Sequence, residues 1–146
     1  MSARTFALAV AAISAMLPGA AYADTIEVKM LNKGEAGSMV FEPAYVTAQP
    51  GDTIHFVSTD KGHNADSIDG MLPASVDEFK SKMSKDFDLI VTAPGLYGIK
   101  CTPHYMMGMV ALIQVGAASN YDDAAAVKQK GKAKKRFAAI FAQVAR

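Results

Sequence analysis

The chain has 146 residues, 51% of them hydrophobic, and a formal net charge of +1. That length suits one compact domain, and so small a charge sets up no field that would select nucleic acid or a membrane surface. A single cysteine, Cys101, excludes an intrachain disulfide.

Residues 1–23 carry a basic start at Arg4, an apolar run from Phe6 to Leu17, a Pro18-Gly19 break and the small-residue ending Ala21-Tyr22-Ala23. This is the pattern of a cleaved secretory signal, and the run is too short to span a bilayer. Cleavage is expected before Asp24, leaving residues 24–146 as one domain whose 14 basic and 14 acidic side chains cancel, since Arg4 is the only charge in the signal.

From Thr25 onward the chain reads as short strands. Ile26, Val28 and Met30 alternate with Glu27 and Lys29, which gives one buried and one wet face. Phe41 to Thr47 is a second apolar stretch, in which Pro43 marks an edge or a bend. Pro50-Gly51-Asp52 turns the chain into Thr53–Ser58, where Ile54 and Phe56 share a face and His55 points the other way, as a surface residue. Ser75-Val76-Asp77-Glu78 has the form of a capping box and predicts one or two helical turns over Val76 to Lys82. Phe87, Leu89 and Val91 alternate again, Leu96 to Lys100 follows Ala93-Pro94-Gly95, and a last strand runs from Val110 to Val115. Short strands at this spacing predict a Greek-key β-sandwich or barrel over residues 24–116.

A helical extension is expected over residues 117–146. Asn120 is placed to cap a helix that Asp122 and Asp123 favour electrostatically, running to Gln129 and breaking at Gly131. A second helix follows from about Lys132, with Phe137, Ile140, Phe141 and Val144 on one stripe expected to pack on the end or side of the sheet rather than on a partner. Lys128, Lys130, Lys132, Lys134, Lys135 and Arg136 read as a solvated helical face, because no aromatic residues are interleaved with them as nucleic-acid binding would require.

The chemistry lies between the last two strands. Cys101-Thr102-Pro103-His104-Tyr105-Met106-Met107-Gly108-Met109 puts a thiolate, an imidazole and a thioether on one short loop. Such S, N and weak S donors favour copper cycling between Cu(I) and Cu(II) over zinc, calcium or magnesium. One further histidine would complete the site, and His63, in the turn-like Asp60-Lys61-Gly62-His63-Asn64 after a strand, is placed to supply it. A lone cysteine is commonly just buried and inert. In an exported protein, however, a free thiol meets an oxidising compartment, and a metal bond accounts for its presence there.

These two segments, the exported sandwich and the two terminal helices together resemble the cupredoxins and, among them, the pseudoazurins, over essentially all of residues 24–146. Plastocyanins share the Cys-to-Met spacing but end after the last strand, while amicyanins have a shorter loop and azurins a longer one. The chain departs from the family at Met106, where a smaller residue such as alanine is more usual. The resemblance implies one type 1 copper, with His63, Cys101 and His104 as strong trigonal ligands and Met109 as a long axial one. It also implies that the backbone N–H of Asn64 donates to the Cys101 sulfur. Pro103, with no N–H, withholds a further donor.

The same resemblance implies a periplasmic, monomeric electron carrier rather than an enzyme. Electrons pass through the edge of His104, presented amid Met39, Pro103, Met106 and Met107, with Lys33, Lys61, Lys80 and Lys100 around it for docking. Copper nitrite reductase in denitrification is the implied partner, with nitrous-oxide reductase or a cytochrome c as further ones. The alternative is a periplasmic copper chaperone or scavenger, which would hold copper through exposed, exchangeable ligands.

Overall fold

The computed structural model describes residues 22–146, so the predicted signal, residues 1–23, lies outside the described residues except for its last two positions. Eight strands follow: β1 (Thr25–Gly34), β2 (Gly37–Glu42), β3 (Tyr45–Ala48), β4 (Thr53–Val57), β5 (Asp66–Ser67), β6 (Phe87–Ile90), β7 (Gly95–Lys100) and β8 (Val110–Val115). They form two four-stranded sheets, ordered β2-β1-β4-β6 and β3-β8-β7-β5. Pairs β1/β4 and β3/β8 run parallel and the others antiparallel. Of the sandwich and barrel alternatives, the fold is the sandwich, since each sheet keeps two edge strands and no ladder closes it. The apolar stretch around Pro43 is the crossing point, where the chain leaves the first sheet as β2 and enters the second as β3.

Alternation in β1 and β4 sends Val28, Met30, Ile54 and Phe56 inward to meet Tyr97, Ile99, Ala111, Ile113 and Val115 from the second sheet. Phe56 anchors this core, edge-on to Phe41 at 5.8 Å and stacked on Phe87 at 6.2 Å between ring centroids. The opposite side chain of the pleat, His55, lies on the outer surface beside Asp88, whose carboxylate raises the imidazole pKa.

Strand β8 is buried at every residue because the second sheet is covered on both faces. Its outward side chains Val110 and Leu112, with Leu96 of β7, meet Ala124 of α1 (Tyr121–Ala126) and Ala133, Phe137 and Ile140 of α2 (Gly131–Phe141). The stripe read from the sequence therefore packs on the outer face of this sheet and not on its end or side, because Val110, Leu112 and Leu96 leave that face apolar.

Two local expectations fail for the same reason, that a distant partner takes the backbone or side chain. Val76 to Lys82 is extended rather than helical. Phe79 receives the Ser67 N–H on its carbonyl at 2.9 Å and donates its own N–H to Ser67 Oγ at 3.0 Å, while the Ser81 N–H donates to the Ala65 carbonyl at 2.8 Å. Those groups cannot also close helical turns; one turn alone remains, from the Val76 N–H to the Pro73 carbonyl. Asn120 precedes α1 but makes no side-chain cap. Its amide instead grips β7, accepting from the Leu96 N–H at 2.6 Å and donating to the Leu96 carbonyl at 3.0 Å. The helix itself stops at Ala126, short of Gln129.

Candidate metal centre

The loop between β7 and β8 is a hairpin connection closed on itself. The Cys101 N–H donates to the Met109 carbonyl at 2.9 Å, one step beyond the Lys100/Val110 pair, so the two sulfur residues face each other across the end of the ladder. Between them Thr102–Met107 forms a short 3-10 turn, favoured by Pro103 in its first turn, where a missing N–H costs no hydrogen bond. Gly108 ends the turn at φ 91°, a conformation in which a side chain is strained. His63 comes from the β4–β5 connection. That segment is tied down by the Gly62 N–H to Ser84 Oγ and the Ser84 N–H to the His63 carbonyl, both 2.8 Å.

Nδ1 of His63, Nδ1 of His104 and Sγ of Cys101 converge. The nitrogens are 3.1 Å apart, and the sulfur is 3.7 Å from the first and 3.6 Å from the second. These are the only three metal-binding side chains of the His, Cys, Asp and Glu types that cluster in this way among the described residues. Bonds of about 2.0 Å from nitrogen and 2.3 Å from sulfur to one central ion would space the atoms about 3.5 and 3.7 Å apart in a plane, so the triangle fits a single first-row ion to within a few tenths of an ångström. His63, Cys101 and Met109 are fully buried, and His104 is partly exposed.

The surroundings keep these donors available. His63 Nε2–H donates to Asn32 Oδ1 at 2.9 Å, which selects the tautomer whose free lone pair is on Nδ1. Burial, and then the neighbouring His104, push the His63 pKa down, which favours the neutral imidazole that a metal needs. Burial raises the Cys101 thiol pKa, opposed by backbone N–H groups of Asn64 and His104 directed at the sulfur. A coordinated thiol loses its proton outright, so metal binding here releases one. Asn64 also holds the loop, its Oδ1 accepting from the Thr102 N–H at 2.8 Å and its Nδ2 donating to Thr102 Oγ at 3.1 Å. Thr102 Oγ in turn donates to Asp66 Oδ2, which pairs with Lys80 at 3.6 Å.

On the loop that carries His104, Pro103, Met106 and Met107 are exposed, and Met39 of β2 is half-buried. Lys33 is exposed near the end of β1, next to Asn32, Lys61 is exposed on the β4–β5 connection that carries His63, Lys80 reaches the loop through Asp66, and Lys100 adjoins Cys101. His55 stays on the outer sheet face with Asp88, away from the triangle. Asn32 escaped the sequence reading, because Asn32-Lys33-Gly34 has the form of an ordinary turn, whereas β1 runs through it to Gly34. Arg136 escaped it as well. Grouped there with five lysines as a solvated face, it turns inward while they remain exposed.

Residues 28–116 match the model of the copper binding proteins of the plastocyanin/azurin family. A pseudoazurin of Paracoccus pantotrophus is 55% identical over 94% of each chain, and one from Methylorubrum extorquens is 46% identical over 91% of this chain and 89% of the other. This chain belongs to the pseudoazurins. The crystal structure of the pseudoazurin from Methylobacterium extorquens AM1 superposes with a TM-score of 0.81 at 45% identity, covering 84% of this chain and all of that one. Pseudoazurins of Sinorhizobium and Hyphomicrobium denitrificans superpose equally well, each with a TM-score of 0.80. As a pseudoazurin the chain is a cupredoxin that holds one copper ion, and the His-Cys-His triangle is the group among the described residues that could hold it.

Proposed function

We propose that the protein is a periplasmic one-electron carrier in which His63, Cys101 and His104 are the strong copper ligands and Met109 the weak axial one. The observation that carries this reading is the closed Nδ1–Nδ1–Sγ triangle, buried except for the edge of His104. Copper bound there supplies a Cu(I)/Cu(II) couple. The chain's part is to hold the donors still: Asn32 orients His63, Asn64 and Thr102 fasten the loop, and the sandwich excludes water. A chaperone would need exchangeable, exposed ligands, whereas three of the four proposed here are fully buried. The protein transforms no substrate. Its acceptor is a respiratory reductase, copper nitrite reductase in denitrification, with nitrous-oxide reductase or a cytochrome c as further partners. Export with cleavage before Asp24 is consistent with the packing of that residue, whose N–H donates to Asp52 Oδ1 at 2.9 Å.

Docking combines the apolar apron of Met39, Pro103, Met106 and Met107 with steering by Lys33, Lys61, Lys80 and Lys100, because exposed charges act mainly on association. Lys61→Glu combined with Lys33→Glu is expected to lower the second-order rate with an acidic-surfaced copper nitrite reductase on the order of tenfold at low salt, and to flatten its dependence on ionic strength. Lys134→Glu, in the cleft between α1 and α2, is the control and changes it little. Stopped-flow rates over a salt series decide the matter, and a tail substitution as damaging as the loop pair would defeat the docking assignment.

A further inference from the structure

The guanidinium of Arg136 is bonded entirely to backbone carbonyls. Nη1 donates to the Met39 carbonyl at 2.6 Å and the Gly108 carbonyl at 2.7 Å, and Nη2 to the Ser38 carbonyl at 2.9 Å and the Ala36 carbonyl at 3.4 Å. No carboxylate pairs with it among the described residues. One planar fork from α2 thus joins the tip of the β1–β2 hairpin to the end of the metal-site loop, a geometry that a rigid array of five N–H donors matches and a lysine ammonium does not.

Two of its acceptors occupy sensitive places. Met39 is in the left-handed region at φ 52°, which a side chain adopts only when its surroundings hold it. Gly108 contributes the carbonyl of the peptide that enters Met109, and the N–H of that same peptide donates to the His104 carbonyl at 3.1 Å. Both ends of the Gly108–Met109 peptide are therefore anchored, one by a histidine of the metal site and the other by Arg136. The base of the clamp is itself pressed onto the loop: Gly131, at φ 56°, sits where a Cβ would be 2.5 Å from the Met106 carbonyl. Beside it, Tyr105 hydrogen-bonds Gln129 at 2.7 Å and receives the Lys130 N–H at 3.0 Å.

We propose that Arg136 is a positioning residue for the copper site: by fixing the Gly108–Met109 peptide and the Met39 backbone it sets the placement of the Met109 thioether, and so tunes the metal. The helical tail is then a brace for the ligand loop as well as a cover for the sheet. The proposal rests on Met109 being the axial ligand, and its test separates the two claims.

Arg136→Lys keeps the charge and loses the fork, Arg136→Ala loses both, and Lys135→Ala is the neighbouring control. In the metal-free protein, amide exchange at Gly108 and Met109 is expected to quicken about tenfold in both Arg136 variants, the loss of a charge-assisted hydrogen bond, with Leu112 and Ile113 in mid-strand unchanged. In the copper-loaded protein, Arg136→Lys and Arg136→Ala are expected to shift the visible spectrum and the reduction potential in the same direction, and Lys135→Ala to shift neither. Wild-type exchange at Gly108 and Met109, or a uniform loss of protection across β7 and β8, overturns the clamp. A wild-type spectrum and potential for Arg136→Lys overturns its tuning role. If Arg136→Ala does not fold, Arg136→Lys decides alone. Failure of the ligand assignment shows separately, as a Met109→Leu protein whose potential equals wild type.

Discussion

Cys101→Ser is expected to give a folded, colourless protein. The intense colour of such a centre arises from charge transfer between copper and a thiolate, and a serine hydroxyl supplies neither the soft donor nor the low-energy transition. The fold should survive, since the substitution is nearly isosteric at a fully buried position and the backbone bond from the Cys101 N–H to the Met109 carbonyl is untouched. Met109→Leu should behave differently. It leaves the triangle of His63, Cys101 and His104 intact, so colour remains, while loss of axial donation disfavours Cu(II) and raises the reduction potential. Visible absorption and voltammetry on samples of known copper content separate the two. A strongly coloured Cys101→Ser protein, or a colourless but fully loaded Met109→Leu protein, would contradict the division into strong and weak ligands.

The largest stability loss is expected at Phe137→Ala. Phe137 is fully buried between α2 and the outer face of the second sheet, among Leu96, Val110, Leu112 and Ile140. Truncating a buried phenylalanine to alanine costs about 3–5 kcal/mol, through lost transfer energy and the cavity left behind. Against a total stability of about 5–15 kcal/mol that is a large fraction. Urea denaturation should show the midpoint falling with little change in slope. A loss under about 1 kcal/mol would mean that the tail is a loosely held appendage, and the brace inferred for Arg136 would lose its foundation.

What the sequence made legible was mostly local. Cys101, His104 and Met109 lie on one loop whose spacing alone confines them, and the alternation of β1 and β4 follows from a sheet with one wet face. The tail stripe was readable because helical periodicity survives without knowledge of the partner. What escaped depends on contacts between distant parts of the chain. Val76 to Lys82 carries a capping-box pattern, yet Ala65 and Ser67 claim its backbone. Asn120 has the right residue type for a cap and is drawn instead to Leu96. Arg136 looks like its lysine neighbours in sequence and differs only because three carbonyls nearly a hundred residues upstream, with that of Gly108, lie under it. Asn32 gains its role through His63, which no spacing rule connects to it.

The most direct test of the account is a titration of the metal-free protein with Cu(II), followed by visible absorption through a cycle of reduction by ascorbate and reoxidation. An intense blue band is expected that saturates at one equivalent, bleaches on reduction and returns in full, because a closed N, N, S, S site holds either oxidation state. A pale product with no strong visible band, or a colour that bleaches once and does not return as copper leaves the protein, would contradict it.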